Sequence, residues 1–189
     1  GIYTANMFFA LPLIIERRFG SMPKLVGGAK VNMAHVEDVA GSLIFVLGNE
    51  KAYGRAFQVA DDTPVTIGQL IEALSEALKV KRGFLTIPLS KSFFAFSSRF
   101  LAKRLKPKSL DRFNRLLQKG WQKIKEQHDI KPVLNPRFDH GFFSYGFGDH
   151  VYDNSAIKSL GYKLRRPDIK EGTKQTADWY RAQGWIPNR

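Results

Sequence analysis

Apolar residues recur every three or four positions in several parts of the chain, which is the spacing that one face of an α-helix requires. Helices are predicted on this basis over residues 5–19, 37–47, 66–78, 90–105, 109–127, 155–160 and 167–180. Thr66 and Gln69 have the spacing of a capping box, in which each residue satisfies a free amide at the start of a helix. The pattern therefore predicts a helix-rich chain.

Two of these predicted helices have especially regular apolar faces. The buried stripe of the helix over residues 66–78 is predicted to consist of Ile67, Leu70, Ile71, Leu74 and Leu78. In the helix over residues 109–127, one face carries Leu110, Phe113, Leu117, Trp121 and Ile124. Asp38, at the start of the helix over residues 37–47, is expected to be its N-cap or a first-turn acid, where a negative charge is stabilising.

Shorter apolar or alternating runs predict strands at residues 31–36, 56–60 and 84–87. Pro88 is expected to stop the last of them, because proline has no amide hydrogen to donate to a strand. Residues 132–150 contain two Pro and three Gly and are predicted to be irregular. Helices with a few short strands predict an α/β fold.

The charge of the chain is concentrated in one segment. The 189 residues carry a formal net charge of +13, and residues 81–137 hold fifteen Lys and Arg against three acidic residues. An acidic partner would therefore be bound by this segment.

The chain contains no Cys, which excludes disulfides, thiolate metal sites and a Cys nucleophile. It is consistent with a cytoplasmic protein, either free or at the periphery of a membrane.

The predicted helix over residues 90–105 combines aromatic and basic residues in a way that suits the interface of an anionic membrane. Its candidate contact residues are Phe93, Phe96, Arg99, Phe100, Lys103 and Arg104. The alternative, which we favour, is that the apolar stripe packs on the protein and the cations are solvated. Nucleic-acid binding is the least favoured reading, because no motif for it is present.

Several short motifs follow one another in a characteristic order. They are AHVEDVA at 34–40, GRAFQVADD at 54–62, PVT at 64–66, YDNSA at 152–156, LGY at 160–162, EGT at 171–173 and TADWY at 176–180. In this order and spacing they resemble the C-terminal half of the extended short-chain dehydrogenases/reductases, the superfamily of NAD(P)-dependent epimerases/dehydratases and 3β-hydroxysteroid dehydrogenases. Gly1-Ile2-Tyr3 resembles a segment that precedes these motifs in the family.

The resemblance implies a helix-rich substrate-binding lobe of a Rossmann-type enzyme. Residues 1–80 would hold the end of the Rossmann-associated region and the start of the lobe, 81–137 a basic helical insert, and 138–189 the closing loop and helices. The family's glycine-rich nucleotide loop and catalytic Tyr-x-x-x-Lys lie N-terminal to this region, and neither pattern occurs here. NAD or NADP would thus bind to a missing N-terminal Rossmann half, which would be a partner, and this chain alone is expected to bind no cofactor and to be inactive.

The substrate implied by the resemblance is an apolar molecule with a hydroxyl group, such as a steroid or sterol. The sugar-nucleotide branch usually has an Arg before the His-Val segment, whereas this chain has Lys30-Val31-Asn32-Met33-Ala34. Candidates for the pocket wall are Tyr3, Met7, Phe8, Met33 and His35, and ordinary core packing is the alternative for each. A sugar-nucleotide lobe and a non-catalytic binding module stay open as alternatives.

Two further expectations concern partners and metals. The lobe is expected to expose an apolar face where its missing half would dock, and therefore to self-associate. A metal site built from Asp139, His140, Asp149, His150 and Asp153 is not expected, because their spacing fits no known ligand pattern.

Overall fold

The computed structural model describes residues 2–90, 107–138 and 148–189 and has a mixed α/β fold, which confirms the predicted class. Its helices are α1 (Ile2–Phe19), α2 (Val36–Leu47), α3 (Ile67–Ala77), α4 (Pro107–His128), α5 (Ser155–Lys158) and α6 (Ile169–Ala182), with a 3-10 turn at Glu50–Ala52. Its strands are β1 (Met22–Gly27), β2 (Lys30–Val31), β3 (Val65–Thr66) and β4 (Arg82–Leu89). The helix predicted over residues 90–105 lies outside the described residues.

The strands form two small sheets. β1 and β4 pair in parallel, with Met22 opposite Arg82 and Gly27 opposite Leu89, and β2 pairs with β3 in antiparallel fashion. Pro88 lies inside β4, so the prediction that it ends the strand was wrong. Each strand of a two-stranded sheet has a free edge, where a missing amide hydrogen costs no ladder bond.

Helix α3 packs between β1 and α6. Its predicted stripe is confirmed, since Leu70, Leu74 and Leu78 are each at most 2% exposed. Its predicted capping box is also present, with the Thr66 hydroxyl accepting from the Gln69 amide and the Gln69 side chain accepting from the Thr66 amide. At Gly68 an added Cβ would lie 2.6 Å from the Leu25 carbonyl oxygen, so only glycine lets α3 approach β1 this closely.

The main core joins residues of α1, α3, α4 and α6. Ala10 and Ala177 are completely buried there, and Trp121 is only 2% exposed. The Trp121 indole donates a 2.9 Å hydrogen bond to the Leu134 carbonyl, so its polar end is satisfied. Phe113 lies on the apolar face of α4 but is 42% exposed.

Helix α2 has Asp38 in its first turn, which is one of the two roles predicted for this residue, while another residue caps the helix. His35 is its N-cap, and its Nδ1 accepts from the Glu37 amide at 3.3 Å. Asp38 lies in the first turn, as one of its two predicted roles has it, but its carboxylate is buried and points to another part of the chain. It accepts hydrogen bonds from the Arg165 and Arg166 amides at 2.6 and 3.0 Å.

Two predicted strands were wrong in whole or in part. Of the first, predicted at residues 31–36, only Val31 lies in a strand, and residues 56–60 belong to no strand. Long-range hydrogen bonds hold these segments, some of them from the backbone and some from side chains. The Asn32 amide donates to the His150 carbonyl at 3.3 Å, and the Asp61 amide donates to the Met33 carbonyl at 2.6 Å. The Asn32 side chain exchanges two 2.9 Å hydrogen bonds with the Tyr152 backbone, and Asn154 donates to the Ala60 carbonyl at 2.7 Å. These amide side chains occupy backbone groups that a neighbouring strand would otherwise pair with.

Candidate functional site

A cavity of about 120 Å³ lies where α1, α3 and the start of α6 meet the segment before α2. Its lining residues are Phe8, Phe9, Met33, Ala34, His35, Asp61, Leu70, Leu74, Asp168, Ile169, Gly172, Thr173 and Thr176. An apolar protein cavity of about 150 Å³ admits benzene, so this volume suits one ring-sized group. The cavity is therefore large enough for the end of a ligand rather than for a whole sterol.

Most of the wall is apolar because it is the inner side of the helices. Phe8 and Phe9 come from α1, Leu70 and Leu74 from the stripe of α3, and Ile169 from the first position of α6. Gly172 contributes a stretch of bare backbone, and an added Cβ there would lie 3.6 Å from Cδ2 of His35. This is an ordinary van der Waals distance, so the cavity has room for a side chain at position 172.

Asp61 introduces a carboxyl group into this apolar wall and is only 5% exposed. Its backbone is held from two directions, since its amide donates to the Met33 carbonyl at 2.6 Å and its carbonyl accepts from the Asn32 side chain at 3.1 Å. The preceding residue, Ala60, is held by Asn154. The position of Asp61 is thus determined by residues from two other parts of the chain, 32–33 and 154.

Burial raises the pKa of Asp61 from its ordinary value of 3.8 to about 7. The Met33 amide, which donates a hydrogen bond to the carboxyl group, acts in the opposite direction. The negative charges of Asp38, Asp168 and Asp62 raise the pKa further. Near neutral pH the group can therefore both accept and donate a proton, which is the property required of a general acid or base.

Two helix caps complete the polar part of the cavity. Asp168 is the N-cap of α6 and accepts from the Lys170 and Glu171 amides at 2.7 and 3.2 Å. Because Nδ1 of His35 accepts from a backbone amide, its neutral ring carries the proton on Nε2. Thr173 and Thr176 donate their hydroxyl groups to carbonyls of their own helix.

The structure brings together three of the five predicted wall residues. Phe8, Met33 and His35 line the cavity. Met7 is 1% exposed and packs in a second apolar cluster with Leu110, Leu117 and Phe138. Tyr3 lies in the first turn of α1, and its side chain is outside what the structure describes.

The predicted membrane-contact residues Phe93, Phe96, Arg99, Phe100, Lys103 and Arg104 all lie outside the described residues.

Asp61 and Asp168 line the cavity but were not predicted from the sequence as site residues. Asp61 begins the segment Asp-Asp-Thr-Pro, which is a typical turn sequence and gives no local sign of burial. Its burial depends on Asn32 and Asn154, whose partners no local pattern reveals. Asp168 could have been found, since an Asp directly before an apolar helical stretch is a common N-cap.

A second notable surface is the outer face of α2, which is apolar and exposed. Leu43, Ile44 and Leu47 are exposed by 59, 73 and 77%, and Val36 and Val39 lie on the same helix with 73 and 40% exposure. Single exposed apolar residues are common, but a contiguous set on one helix face indicates a contact surface. We call these five residues the α2 face.

The outer side of α4 is basic. Arg112, Arg115, Lys119 and Lys123 are exposed at helical spacing, and Leu116 lies among them with 62% exposure. No described helix of the chain is both long and apolar enough to cross a membrane. Across residues 2–90, 107–138 and 148–189 there is also no cluster of three or more His, Asp or Glu arranged to hold a metal ion.

Comparison with known proteins identifies no family for this chain. No protein-family model and no curated protein sequence matches it. Solved structures that resemble it include that of a functionally unknown conserved protein from Silicibacter pomeroyi DSS, with a TM-score of 0.43 and 17% sequence identity. The match covers 85% of this chain and 42% of that protein, so the chain spans less than half of its length.

Proposed function

We propose that this chain is the substrate-binding portion of an NAD(P)-dependent oxidoreductase of the extended short-chain dehydrogenase/reductase type, acting on an apolar molecule that carries a hydroxyl group. The observation that carries the proposal is the cavity, whose lining combines apolar residues of α1 and α3 with the buried Asp61. Ligand sites typically combine mostly apolar walls with a few placed polar groups. The motifs that resemble the family supply the reaction type.

The residues of the cavity do not fit a dinucleotide. A pyrophosphate is bound by backbone amides at a helix start, whereas the start of α6 is already capped by the Asp168 carboxylate. Asp61 adds a second acidic group to the same cavity. In this proposal NAD or NADP is held by the N-terminal half of the enzyme, and the residues described here bind and orient the substrate only.

The α2 face is a candidate docking surface for the N-terminal half that the family resemblance implies. Its five apolar residues are exposed on a helix whose start lies in one of the motifs that resemble the family. Burying such side chains is worth roughly 1.5–3 kcal/mol each. We therefore propose that the N-terminal half packs against the α2 face and that copies of the isolated chain associate through it.

The experiment that tests this function is a titration of the chain with dehydroergosterol, a fluorescent sterol, delivered from cyclodextrin. The designed control is a pair of variants at one position: Gly172→Leu places a side chain in the cavity, and Gly172→Ala adds only a methyl group in ordinary contact. We expect saturable binding by the wild type and by Gly172→Ala, and a loss of about tenfold or more for Gly172→Leu. Equal binding by both variants would contradict the proposal.

Two further ligands separate the alternatives. NADH is expected to show no saturable binding to this chain, and micromolar binding would show that the chain holds a cofactor site of its own. A UDP-hexose that binds in place of the sterol, with the same sensitivity to Gly172→Leu, would favour the sugar-nucleotide branch. If neither the sterol nor the UDP-hexose binds, a non-catalytic binding module becomes the better interpretation.

The basic side of α4 supports a second function, contact with an anionic membrane. Arg112, Arg115 and Lys119 surround the exposed Leu116, so charge and an apolar side chain share one surface. Each cation near such a membrane contributes about 1 kcal/mol. We expect co-sedimentation with anionic but not neutral vesicles, weakened by salt and by Leu116→Asp, whereas Leu43→Asp on α2 serves as the matched control. Equal effects of both variants would argue against a specific role of α4.

A further inference from the structure

Asp61 differs from the other polar groups of the cavity in what its side chain contacts. The side chains of three of these groups bond to the backbone of α6, namely those of Thr173, Thr176 and Asp168. Nδ1 of His35 accepts from the Glu37 amide. Within the part of the chain that the structure describes, the Asp61 carboxyl group takes part in no ion pair and bonds to no other side chain. Its polar partner there is the backbone amide of Met33.

A carboxyl group has about four sites for accepting hydrogen bonds, so one amide leaves most of this capacity unused. At 5% exposure, solvent reaches Asp61 only slightly. A hydrogen bond to a group that solvent reaches so little is stronger than one formed in water, so a ligand that supplies a donor here gains affinity. The cavity therefore favours a ligand with a donor at this position.

The position of the group is well defined before any ligand binds. The Asp61 backbone is bonded to Met33 and Asn32, and its neighbour Ala60 is bonded to Asn154. A group that is already ordered loses little conformational entropy on binding, so its hydrogen bond contributes more fully to affinity. This arrangement is typical of a recognition group rather than of a side chain that merely completes the core.

The surroundings restrict the kind of donor. The charged or titratable groups that face Asp61 are Asp38 of α2, Asp62 next to it, Asp168 at the start of α6 and His35, which lines the same cavity. Three acidic groups disfavour a carboxylate or phosphate on the ligand. The apolar side chains of α1 and α3 require that the rest of the ligand end be a hydrocarbon of about one ring.

From this geometry we infer that Asp61 is the specificity-determining group of the cavity, which recognises the hydroxyl group of a ring-sized apolar alcohol. The inference rests on the proposed function and makes it narrower, because it names the end of the substrate that enters the cavity and the residue that selects it. The Asp61 carboxyl group accepts a hydrogen bond from the hydroxyl group of the ligand, while Phe8, Phe9 and Leu74 contact the ring.

The test uses two probes of similar size, cyclohexanol and methylcyclohexane, and follows the methyl NMR signals of Leu70, Leu74 and Ile169 in the 189-residue chain. Asp61→Leu removes the acceptor and puts an apolar side chain of similar size in its place. Asp61→Asn keeps the shape and one acceptor oxygen. Asp62→Asn is the matched control, because Asp62 is the exposed neighbour that binds Lys158 and Asn154 outside the cavity.

In Asp61→Leu we expect the affinity for cyclohexanol to fall about tenfold or more, while the affinity for methylcyclohexane stays equal or rises. Asp61→Asn should lose less cyclohexanol affinity than Asp61→Leu, and Asp62→Asn should change neither probe by more than about twofold. A selective loss of the alcohol supports the inference. Retention of alcohol binding in both Asp61 variants, or an equal loss of both probes, overturns it.

The failure of the inference and the failure of the proposed function give different results. If the wild type binds both probes and Asp61→Leu treats them alike, the cavity is a ligand site but Asp61 does not select the hydroxyl group. If the wild type binds neither probe, the cavity is no ligand site, and both the inference and the proposed function are overturned. The methyl signals of each variant also report whether it is folded, so that unfolding is not counted as lost recognition.

Discussion

The hydroxyl group of Tyr162 donates a 2.7 Å hydrogen bond to the backbone carbonyl of Asp38, although 124 positions separate the two residues in the chain. The Asp38 carboxylate accepts in turn from the amides of Arg165 and Arg166. The first turn of α2 is thereby fastened to the loop that leads into α6. Since the caps of α2 and α6 both line the cavity, this connection helps to hold its polar rim together.

Replacement of Asp38 by Ala is expected to destabilise the chain strongly. Asp38 is 1% exposed, and its removal leaves two backbone amides without their charged acceptor. Hydrogen bonds to charged groups are worth about 1.5–3 kcal/mol, so a loss of about 3 kcal/mol is expected. Urea unfolding measures it. Tyr162→Phe removes only one bond of the same connection and should cost about 1 kcal/mol; equal costs would show that the carboxylate contributes little.

Gly68→Ala should also destabilise the fold, for a steric reason. The added Cβ would lie 2.6 Å from the Leu25 carbonyl oxygen and 3.0 Å from the Gly27 nitrogen, both of them backbone atoms of β1. Helix α3 would have to move away from the strand, at a cost of about 1–3 kcal/mol. A decrease in the urea midpoint with an unchanged slope checks this. No decrease would mean that the two elements can separate without penalty.

Gly172→Ala is expected to have the opposite effect. Position 172 lies inside α6, and the new Cβ would meet only Cδ2 of His35 at 3.6 Å. Alanine loses less backbone entropy than glycine in a helix, so a gain of roughly 0.5–1 kcal/mol is expected. Thermal unfolding of Gly172→Ala and Gly68→Ala side by side is the measurement. Loss of stability at position 172 would indicate that the cavity wall cannot accept even a methyl group.

Asp61→Asn should change how stability depends on pH. In the folded chain the pKa of Asp61 is raised by burial from 3.8 to about 7. Between these values the unfolded chain is ionised while the folded chain holds the proton, so this residue lowers the free energy of unfolding as the pH rises. The slope is at most about 1.4 kcal/mol per pH unit.

The measurement is the free energy of unfolding of the wild type and of Asp61→Asn at several values between pH 4 and pH 8. The variant lacks the titrating group, so its stability relative to the wild type should increase from pH 4 to pH 7 and then level off. The other acidic groups near Asp61 are present in both proteins, so the difference between the two reports on Asp61 itself. A difference that stays constant with pH would show that the pKa of Asp61 is not raised.

Leu43→Lys should reduce the self-association of the chain. Leu43 is 59% exposed at the middle of the α2 face, so a charge there interrupts an apolar contact surface without disturbing the core. Sedimentation velocity at several protein concentrations measures the association. Leu116→Lys on α4 is the matched control, since Leu116 is equally exposed, at 62%, but lies among cations. If Leu116→Lys has the larger effect, association proceeds through α4 instead.

Much of the helical structure follows from the sequence alone, because helices depend on neighbours three or four positions away. The stripe Leu70, Leu74 and Leu78 and the capping box of Thr66 and Gln69 are both local patterns, and both occur in the structure. The same holds for Gly161, which ends the short helix α5 with a φ of 101°, in the left-handed region that glycine adopts without strain.

The two small strands that were wrongly predicted, and the cavity itself, depend on contacts between distant parts of the chain. Asn154 bonds to Ala60 across 94 positions, and Asn32 bonds to Tyr152 across 120, so side chains help to hold these segments, together with backbone bonds such as that from the Asp61 amide to the Met33 carbonyl. Asp61 is drawn into the cavity by the same contacts, although its sequence surroundings are those of a turn. Periodicity and capping therefore specify the helices, whereas the location of a buried carboxyl group among apolar side chains is decided only when remote segments pack together.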